Sequence, residues 1–201
     1  MRNKIYNFLI SILVIAFIIV SILIVIKYRK QKVDSNKLTS VAKELRNQIE
    51  NNNNENNNRE NNKDMKINTE YKGYNIVGII KIPIINLEYP IIDKTNDQAM
   101  KVSITKFWGN DINEVGNFSM AGHNYYGGTF FGNTKKLKNG DIIEMTDLTG
   151  RKIEYEVFDK YVTDPNDVTC VKSVKENTRE ITLITCTNGR SNRLIIKARE
   201  K

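Results

Sequence analysis

An almost uninterrupted apolar stretch near the N-terminus constrains this chain more than any other feature. Residues Ile5–Ile26 contain only three polar side chains, and a helix of that length covers the roughly 30 Å hydrocarbon core of a bilayer. A cleaved secretory signal has a shorter apolar region, about 7–15 residues, that ends in small residues. Here Lys27 follows at once. The sequence therefore predicts an uncleaved transmembrane anchor over residues 5–27, after a short cytoplasmic segment, residues 1–4.

Charge is concentrated beside this stretch. Residues 1–70 hold 12 Lys and Arg against 7 Asp and Glu, a net +5, and the rest of the chain holds 19 against 16, a net +3. This distribution favours contact with anionic lipid headgroups, and no basic stripe interleaved with aromatic residues suggests nucleic-acid binding. The basic residues after the anchor favour a cytoplasmic C-terminal domain by the positive-inside rule, but long domains translocate despite such charges.

The segment that follows the anchor, residues 28–70, is predicted to be a juxtamembrane helix and a linker. Apolar residues recur at spacings of three and four within Ser35–Glu50, which indicates a helix. We expect a solvated helix, with a short self-association seam as the alternative. Asn51–Asn62 is rich in asparagine and has no apolar residue, which predicts a flexible tether between membrane and domain.

From residue 71 to residue 201 the pattern is typical of β structure. Short β-branched or alternating runs are separated by turn residues, without a long helical pattern, so we expect one mainly β domain, a barrel or a sandwich. The predicted strands are Ile76–Ile82, Leu87–Ile92, Asn117–Gly122, Asp141–Thr146, Lys152–Val162, Glu180–Cys186 and Arg193–Arg199. Two short helices are predicted, over Asp97–Lys101 and Phe131–Leu137.

The final hairpin suggests thiol chemistry. If its strands pair with Cys186 opposite Arg193, the two side chains share one face of the sheet, with β-carbons about 5 Å apart. The guanidinium can then donate two hydrogen bonds to an oxyanion beside the thiol. Arg190, in the loop between the strands, is the rival candidate. The chain has one histidine, His123, and it ends a predicted strand, where reacting groups are often placed.

Each of these three residues also has a structural interpretation. Cys186 could be a buried core thiol, Arg193 a solvated strand charge and His123 a structural histidine. Cys170, the second cysteine, is expected to be an unpaired and partly buried thiol, with a disulfide to Cys186 as the alternative.

Several motifs, in order, resemble those of the sortases, the membrane-anchored cysteine transpeptidases of Gram-positive bacteria. Thr182-Leu183-Ile184-Thr185-Cys186 matches the TLxTC signature of that family, and the stretch that begins at Arg193 resembles its arginine-led last strand. Ala121-Gly122-His123-Asn124 is similar to its histidine motif. The stretches 78–87 and 137–143 resemble its opening strand pair and its mid-domain turn and strand.

The resemblance implies a closed eight-stranded β-barrel and a role for each of three residues. Cys186 would attack the carbonyl after Thr in an LPXTG-like sorting signal and form a thioester. Arg193 would stabilise the substrate carbonyl and the oxyanion, and His123 would act as acid and then base. We also expect Thr185 and Ala121 to contact substrate.

The resemblance also implies the setting of the reaction. The partners would be secreted proteins that carry a sorting signal, an amine of a cell-wall precursor and the lipid bilayer. The catalytic domain would lie outside the membrane, on a single-pass anchor. We expect no cofactor. Calcium could bind near Asp111, Glu114 and Asp167, but isolated surface carboxylates are the favoured interpretation, because calcium needs 6–8 converging oxygens.

Other functions remain as alternatives. A pilus-assembling sortase is disfavoured, because an Asp-Pro-aromatic lid motif and a C-terminal membrane segment are lacking from the sequence. An L,D-transpeptidase normally has its nucleophile after Ser-His-Gly, which is lacking too. A tethered cell-surface binding domain without catalysis is the non-enzymatic alternative. The short connection between Val162 and Glu180 and the short loop 187–192 leave the subclass open.

Overall fold

The computed structural model describes residues 2–56, 69–125, 127–187, 189 and 191–201. Its regular elements are α1 (Arg2–Asn56), β1 (Glu70–Tyr71), β2 (Tyr74–Ile82), β3 (Leu87–Ile92), α2 (Ala99–Val102), β4 (Ile104–Trp108), β5 (Gly116–Ala121), β6 (Ile142–Asp147), β7 (Lys152–Thr163), β8 (Arg179–Cys186) and β9 (Arg193–Glu200). Short 3₁₀ turns lie at Pro83–Ile85, Thr134–Lys136 and Thr169–Val171.

Eight of these strands close into a barrel. The hydrogen-bonded order is β2-β3-β4-β5-β8-β9-β7-β6, and β6 pairs back onto β2. The two-residue strand β1 pairs with β2 at the margin. Strands β3 and β4 are parallel, as are β5 and β8, and the other neighbours are antiparallel. The predicted closed eight-stranded β-barrel is therefore confirmed.

Alternation along the strands produces the barrel interior. In β2, for example, Ile80 and Ile82 are fully buried, while Lys81 between them reaches the surface and pairs with Glu144. Inward side chains of the other strands, such as Met120 and Ile196, fill the same core. Because successive strand residues point to opposite faces, a period of two in the sequence suffices to separate core from surface.

All seven predicted strands are present, but β4 and the two-residue β1 were missed. Strand β4 has only two register pairs with β3, and its outer half exposes Phe107 and Trp108 to solvent, so it lacks the inside-outside alternation of the others. The two predicted short helices are shorter than expected. The first is α2, and the second is only the 3₁₀ turn Thr134–Lys136.

The N-terminal helix α1 is continuous over 55 residues. Within the part of the chain that the structure describes, it is the one helix long and apolar enough to cross a membrane, with a mean hydropathy of 3.5 over its most apolar window, which is wholly exposed. Its large apolar side chains from Ile5 to Ile26 are exposed to solvent and are not covered by the barrel. This agrees with the predicted anchor.

The second half of α1 packs against the barrel, so the expectation of a solvated helix is wrong. Leu38, Ala42, Leu45 and Ile49 form a buried stripe that covers apolar residues of β2 and β3. The stripe has the predicted helical spacing, but its partner is this chain's own barrel and not a second copy. Burial of such a stripe is the usual source of helix stability in proteins.

Polar contacts fix the same packing. Arg46 forms an ion pair with Glu88 of β3 at 2.8 Å, and the hydroxyl groups of Ser35 and Tyr89 share a hydrogen bond. These contacts lie 11 residues apart on α1, about 16 Å along its axis, so together they fix the position of the helix along β3.

The first residues of the predicted tether, Asn51–Asn56, also differ from expectation, because they extend α1. Asn53 donates a hydrogen bond to the backbone carbonyl of Thr149, with 3.0 Å between nitrogen and oxygen. Asparagine favours turns over helix interiors, and this contact with the barrel outweighs that preference. The rest of the predicted tether, residues 57–62, lies outside the described residues.

Candidate active site

The final hairpin places Cys186 opposite Arg193. They are register partners where β8 pairs with β9, so their side chains project from the same face. The loop closes with a hydrogen bond from the backbone N–H of Thr187 to the carbonyl of Asn192, at 2.9 Å. The predicted pairing is therefore present. Arg190, the rival candidate, lies outside the described residues.

Cys186 ends an otherwise buried strand. Strand β8 lies between β5 and β9, and most of its residues are buried, but Cys186 itself is only half-buried. It is also a free thiol. The rigid strand therefore delivers the sulfur to the rim of the barrel, where a substrate can reach it.

His123 lies two residues beyond the end of β5, the parallel neighbour of β8. The backbone N–H of Gly122 donates to the carbonyl of Ile184 at 3.1 Å, which continues the ladder to the residue before the histidine. The imidazole stacks on the Tyr125 ring, with centroids 5.0 Å apart. The backbone carbonyl of His123 accepts a hydrogen bond from the backbone N–H of Phe131. A β-carbon at position 122 would lie 2.8 Å from Phe131. Glycine therefore lets the histidine loop close over that ring.

Two side chains tie the histidine segment to the cysteine strand. Asn124 donates a hydrogen bond to the backbone carbonyl of Cys186 at 2.9 Å. The Thr185 hydroxyl donates to the carbonyl of Gly122 at 2.7 Å. Asn124 was not singled out from the sequence, although its place directly after the histidine was the available signal. Thr185, expected to contact substrate, uses its hydroxyl within the protein.

The three predicted residues line one cleft. A cavity of about 270 Å³ is bordered by His123, Cys186 and Arg193, together with Ala121 and Thr185. A second cavity, of about 520 Å³, continues past His123 and Cys186 towards Lys135 and Lys136. Because both cavities share the thiol and the imidazole, the cleft gives access to those groups from two sides.

Asp167 and Cys170 border the smaller cavity. Hydrogen bonds from Thr163 and Thr169 lower the pKa of the half-buried Asp167 carboxyl to about 2. Burial raises the pKa of the Cys170 thiol. Cys170 is buried and forms no disulfide, as predicted.

The three carboxylates considered for calcium have separate partners. Asp111 pairs with Lys106 and Glu114 with Arg151, whereas the Asp167 carboxylate accepts from two threonines. Within the described ranges of the chain, no group of three or more His, Cys, Asp or Glu converges as a metal ion would require. Independence from calcium remains a prediction.

A thiol, an imidazole and a guanidinium on one half-open cleft can support acyl transfer. The thiol can form a covalent intermediate, the imidazole can move a proton, and the guanidinium can donate to a developing oxyanion. Cys186 and Arg193 lie at strand ends and His123 lies two residues after one, which fixes their backbones. This is the arrangement that nucleophilic catalysis requires of a rigid scaffold.

Comparison with known proteins gives a consistent result. The model of the Sortase domain matches residues 80–201. The chain is 30% identical over 112 residues to Sortase A of Listeria monocytogenes, covering 55% of this chain and 49% of the relative. It is 30% identical over 118 residues to Sortase A of Bacillus anthracis, covering 58% and 55%. The chain thus spans about half the length of these curated relatives.

One solved structure is matched over nearly its whole length, in contrast to the curated relatives. The Sortase D5 transpeptidase of Clostridium perfringens superposes with a TM-score of 0.62 at 27% identity, covering 84% of this chain and 99% of that one. The family model covers more than half of the sequence, and the closed eight-stranded barrel agrees with it. The chain belongs to the sortase family.

Proposed function

We propose that this protein is a membrane-anchored cysteine transpeptidase that cleaves an LPXTG-like sorting signal and transfers the protein to an amine of a cell-wall precursor. One observation carries the proposal: His123, Cys186 and Arg193 line the same cleft. Family membership supports the reaction class. The identities of the sorting signal and of the amine acceptor are part of the proposal.

In the first half-reaction the Cys186 sulfur, as thiolate, attacks the carbonyl carbon that follows Thr in the signal. Arg193 donates hydrogen bonds to the resulting oxyanion, which is the charge that develops in the transition state. As the tetrahedral adduct collapses, the carbon–nitrogen bond breaks and His123, as imidazolium, gives its proton to the leaving amine. The products are a thioester between Cys186 and the N-terminal part of the substrate, and a released C-terminal peptide with a free amino group.

In the second half-reaction an amine attacks the thioester carbonyl. His123, now neutral, accepts the proton that the amine loses as the new amide forms. The carbon–sulfur bond breaks and the thiolate returns to Cys186, so the enzyme regains its starting protonation. No net oxidation or hydrolysis occurs, because one amide replaces another.

We further propose that α1 anchors the protein as a single pass, with the barrel outside the cell membrane. The length and exposure of the apolar half of α1 support the anchor. The basic residues after the span favour the opposite orientation, but a barrel of this size belongs to the long domains that translocate regardless of charge.

The full chain in detergent with an LPXTG-type peptide and an amine tests the activity. We expect a thioester adduct at Cys186 by mass spectrometry, an amide product that requires the amine, and no effect of a metal chelator. Full product formation by Cys186→Ala would refute the assignment. Comparison of a peptidyl α-amine with a lysine side chain as acceptor separates cell-wall attachment from pilus assembly.

A further inference from the structure

The helix α1 fixes the height of the candidate active site above the membrane, because the same helix both spans the bilayer and contacts the histidine loop. The Thr129 hydroxyl donates to the backbone carbonyl of Gln31 at 3.4 Å. A β-carbon at Gly127 would lie 3.3 Å from the Tyr28 ring. The loop that follows His123 therefore contacts α1 just beyond the apolar stretch.

The height follows from helix geometry. At about 1.5 Å per residue, Tyr28 lies about 3 Å beyond Ile26, the last residue of the apolar stretch, and Gln31 lies about 7.5 Å beyond it. The headgroup layer on each side of the hydrocarbon core is about 5–8 Å thick. The loop that contacts Tyr28 and Gln31 must therefore lie at the level of the headgroups, and a tilt of α1 would bring it closer.

The opposite end of the barrel is far from this level. Asn53, which contacts the carbonyl of Thr149, lies 22 residues after Gln31 and thus about 33 Å further along the helix. The buried stripe of α1 and its ion pair with Glu88 hold the barrel between these two contacts. The barrel therefore has a defined membrane-facing end, and that end carries the cleft.

The side of the membrane-facing end that carries the larger cavity is basic, whereas Asp167 borders the smaller cavity. No Asp or Glu occurs between Glu114 and Asp141, a stretch that contains the whole histidine loop and Lys135, Lys136 and Lys138. These three lysines are exposed, and the first two border the larger cavity. On α1, the exposed basic residues at the same level are Lys27, Arg29, Lys30 and Lys32. The first acidic residue of the whole chain is Asp34.

We propose that the cleft-bearing end of the barrel rests on the headgroup layer of an anionic bilayer, with Lys135 and Lys136 beside the lipid phosphates. The larger cavity then opens at the membrane surface. The inference rests on the anchoring proposed above, but not on the side of the membrane or on catalysis. A lysine near an anionic surface strengthens binding about fivefold, so the lysines enrich anionic lipid at this end.

Fluorescence quenching in vesicles tests the placement. The full chain, with Cys170→Ser and Cys186→Ser, carries a fluorophore either at Asn133→Cys, beside the larger cavity, or at Thr149→Cys, at the far end. Lipids with a headgroup nitroxide should quench the first probe and leave the second unquenched. Equal quenching at both positions would overturn the proposal. Quenching of a probe at Val20→Cys by an acyl-chain nitroxide verifies that α1 is inserted, and lack of insertion overturns both the anchor and this placement.

The choice of lipid is tested in mixed phosphatidylcholine and phosphatidylglycerol vesicles, with the nitroxide on one lipid or the other. The Asn133 probe should be quenched more by the anionic lipid. The Lys135→Glu, Lys136→Glu double variant should reduce that preference, whereas Lys175→Glu, Lys201→Glu, at the opposite end of the barrel, should retain it. If the Lys135→Glu, Lys136→Glu variant does not fold, high salt provides the test instead. It should abolish the preference of the parent chain for the anionic lipid, because salt screens exposed charges.

A preference for phosphatidylglycerol that survives both high salt and charge reversal would refute the lipid assignment. Because both native cysteines are replaced, none of these results depends on turnover. Loss of transpeptidation in the unmodified chain with quenching intact would refute the proposed function alone.

Discussion

The side-chain amide of Asn124 donates a hydrogen bond to the backbone carbonyl of Cys186, with 2.9 Å between nitrogen and oxygen. This bond links the segment after β5, which carries His123, to the end of β8, which carries the thiol. Together with the bond from the Thr185 hydroxyl to the carbonyl of Gly122, it fixes the position of the imidazole relative to the sulfur. Asn124 is therefore a positioning residue.

Asn124→Ala should lower the turnover number of the transpeptidation reaction by about 10- to 100-fold, because small displacements of reacting groups carry penalties of that size. The Michaelis constant should change little, since the side chain holds the protein and not the substrate. Steady-state kinetics measure both. Asn110→Ala, which removes an amide-to-carbonyl bond of 3.1 Å in an exposed loop, is the matched control. Equal effects of the two substitutions would contradict a positioning role.

Arg193→Lys should reduce kcat/KM by about 10²-fold, because lysine keeps the charge but loses the planar pair of donors. The rate of acyl-enzyme formation, followed by mass spectrometry, should fall in parallel. Arg190→Lys serves as the comparison, since Arg190 is the rival for the same role. A larger loss at residue 190 than at residue 193 would reassign the oxyanion donor.

The two cysteines should differ sharply in reactivity towards iodoacetamide near neutral pH. Cys186 is half-buried on the cleft, whereas Cys170 is buried and its pKa is raised by that burial. We expect one adduct per chain, located on Cys186 by peptide mass spectrometry and suppressed by substrate peptide. Equal labelling of both thiols, or labelling of Cys170 first, would favour the non-enzymatic interpretation of Cys186.

Leu45→Ala should destabilise the docking of α1 by about 2–4 kcal/mol, because it removes a buried side chain from a packed interface. Thermal unfolding of the full chain in detergent, with hydrogen exchange of β3 as the local readout, measures the effect. Asn47→Ala changes an exposed position on the same helix and should be nearly neutral. If both variants unfold at the parent's temperature, the docked helix is not a stable part of the fold.

Glu144 should make stability depend on acid pH. Burial alone raises the pKa of its carboxyl, but hydrogen bonds and charges from Lys152 and Lys81 prevail and lower it below the ordinary value of 4.5. The unfolded state therefore binds the proton more readily, so the stabilisation is present above that value and is lost as the pH falls through the folded pKa. Glu144→Gln should cost about 1–2 kcal/mol at pH 7.

The cost of Glu144→Gln should shrink as the pH falls from 7 to 3, because below the ordinary value of 4.5 the unfolded parent protein takes up the proton more readily than the folded one. Urea unfolding at the two pH values measures the difference. Glu156→Gln, an exposed position on the adjacent strand, provides the control and should show little dependence on pH. A cost that stays constant from pH 7 to pH 3 would mean that the charge of Glu144 is not what stabilises the fold.

The strands with regular alternation and the Cys186–Arg193 pairing could be predicted from the sequence, because a period of two and a short loop fix both. The docking of α1 could not. Its stripe at Leu38, Leu45 and Ile49 is visible in the sequence, but an apolar stripe does not say which surface will cover it. Asn124 was overlooked for a related reason: its partner is a backbone carbonyl 62 residues away, and backbone groups have no signature in the sequence.

The continuity of α1 has a consequence for encounters with substrate. A barrel on a flexible linker would sample a range of distances and orientations above the membrane. A barrel docked on its own anchor helix would diffuse in the plane of the membrane at a fixed height. If the barrel cleaves membrane-attached proteins, as proposed above, such a substrate must place its cleavable bond at that level. The number of residues between the substrate's membrane segment and its cleaved bond would then affect reactivity as strongly as the sequence of the signal.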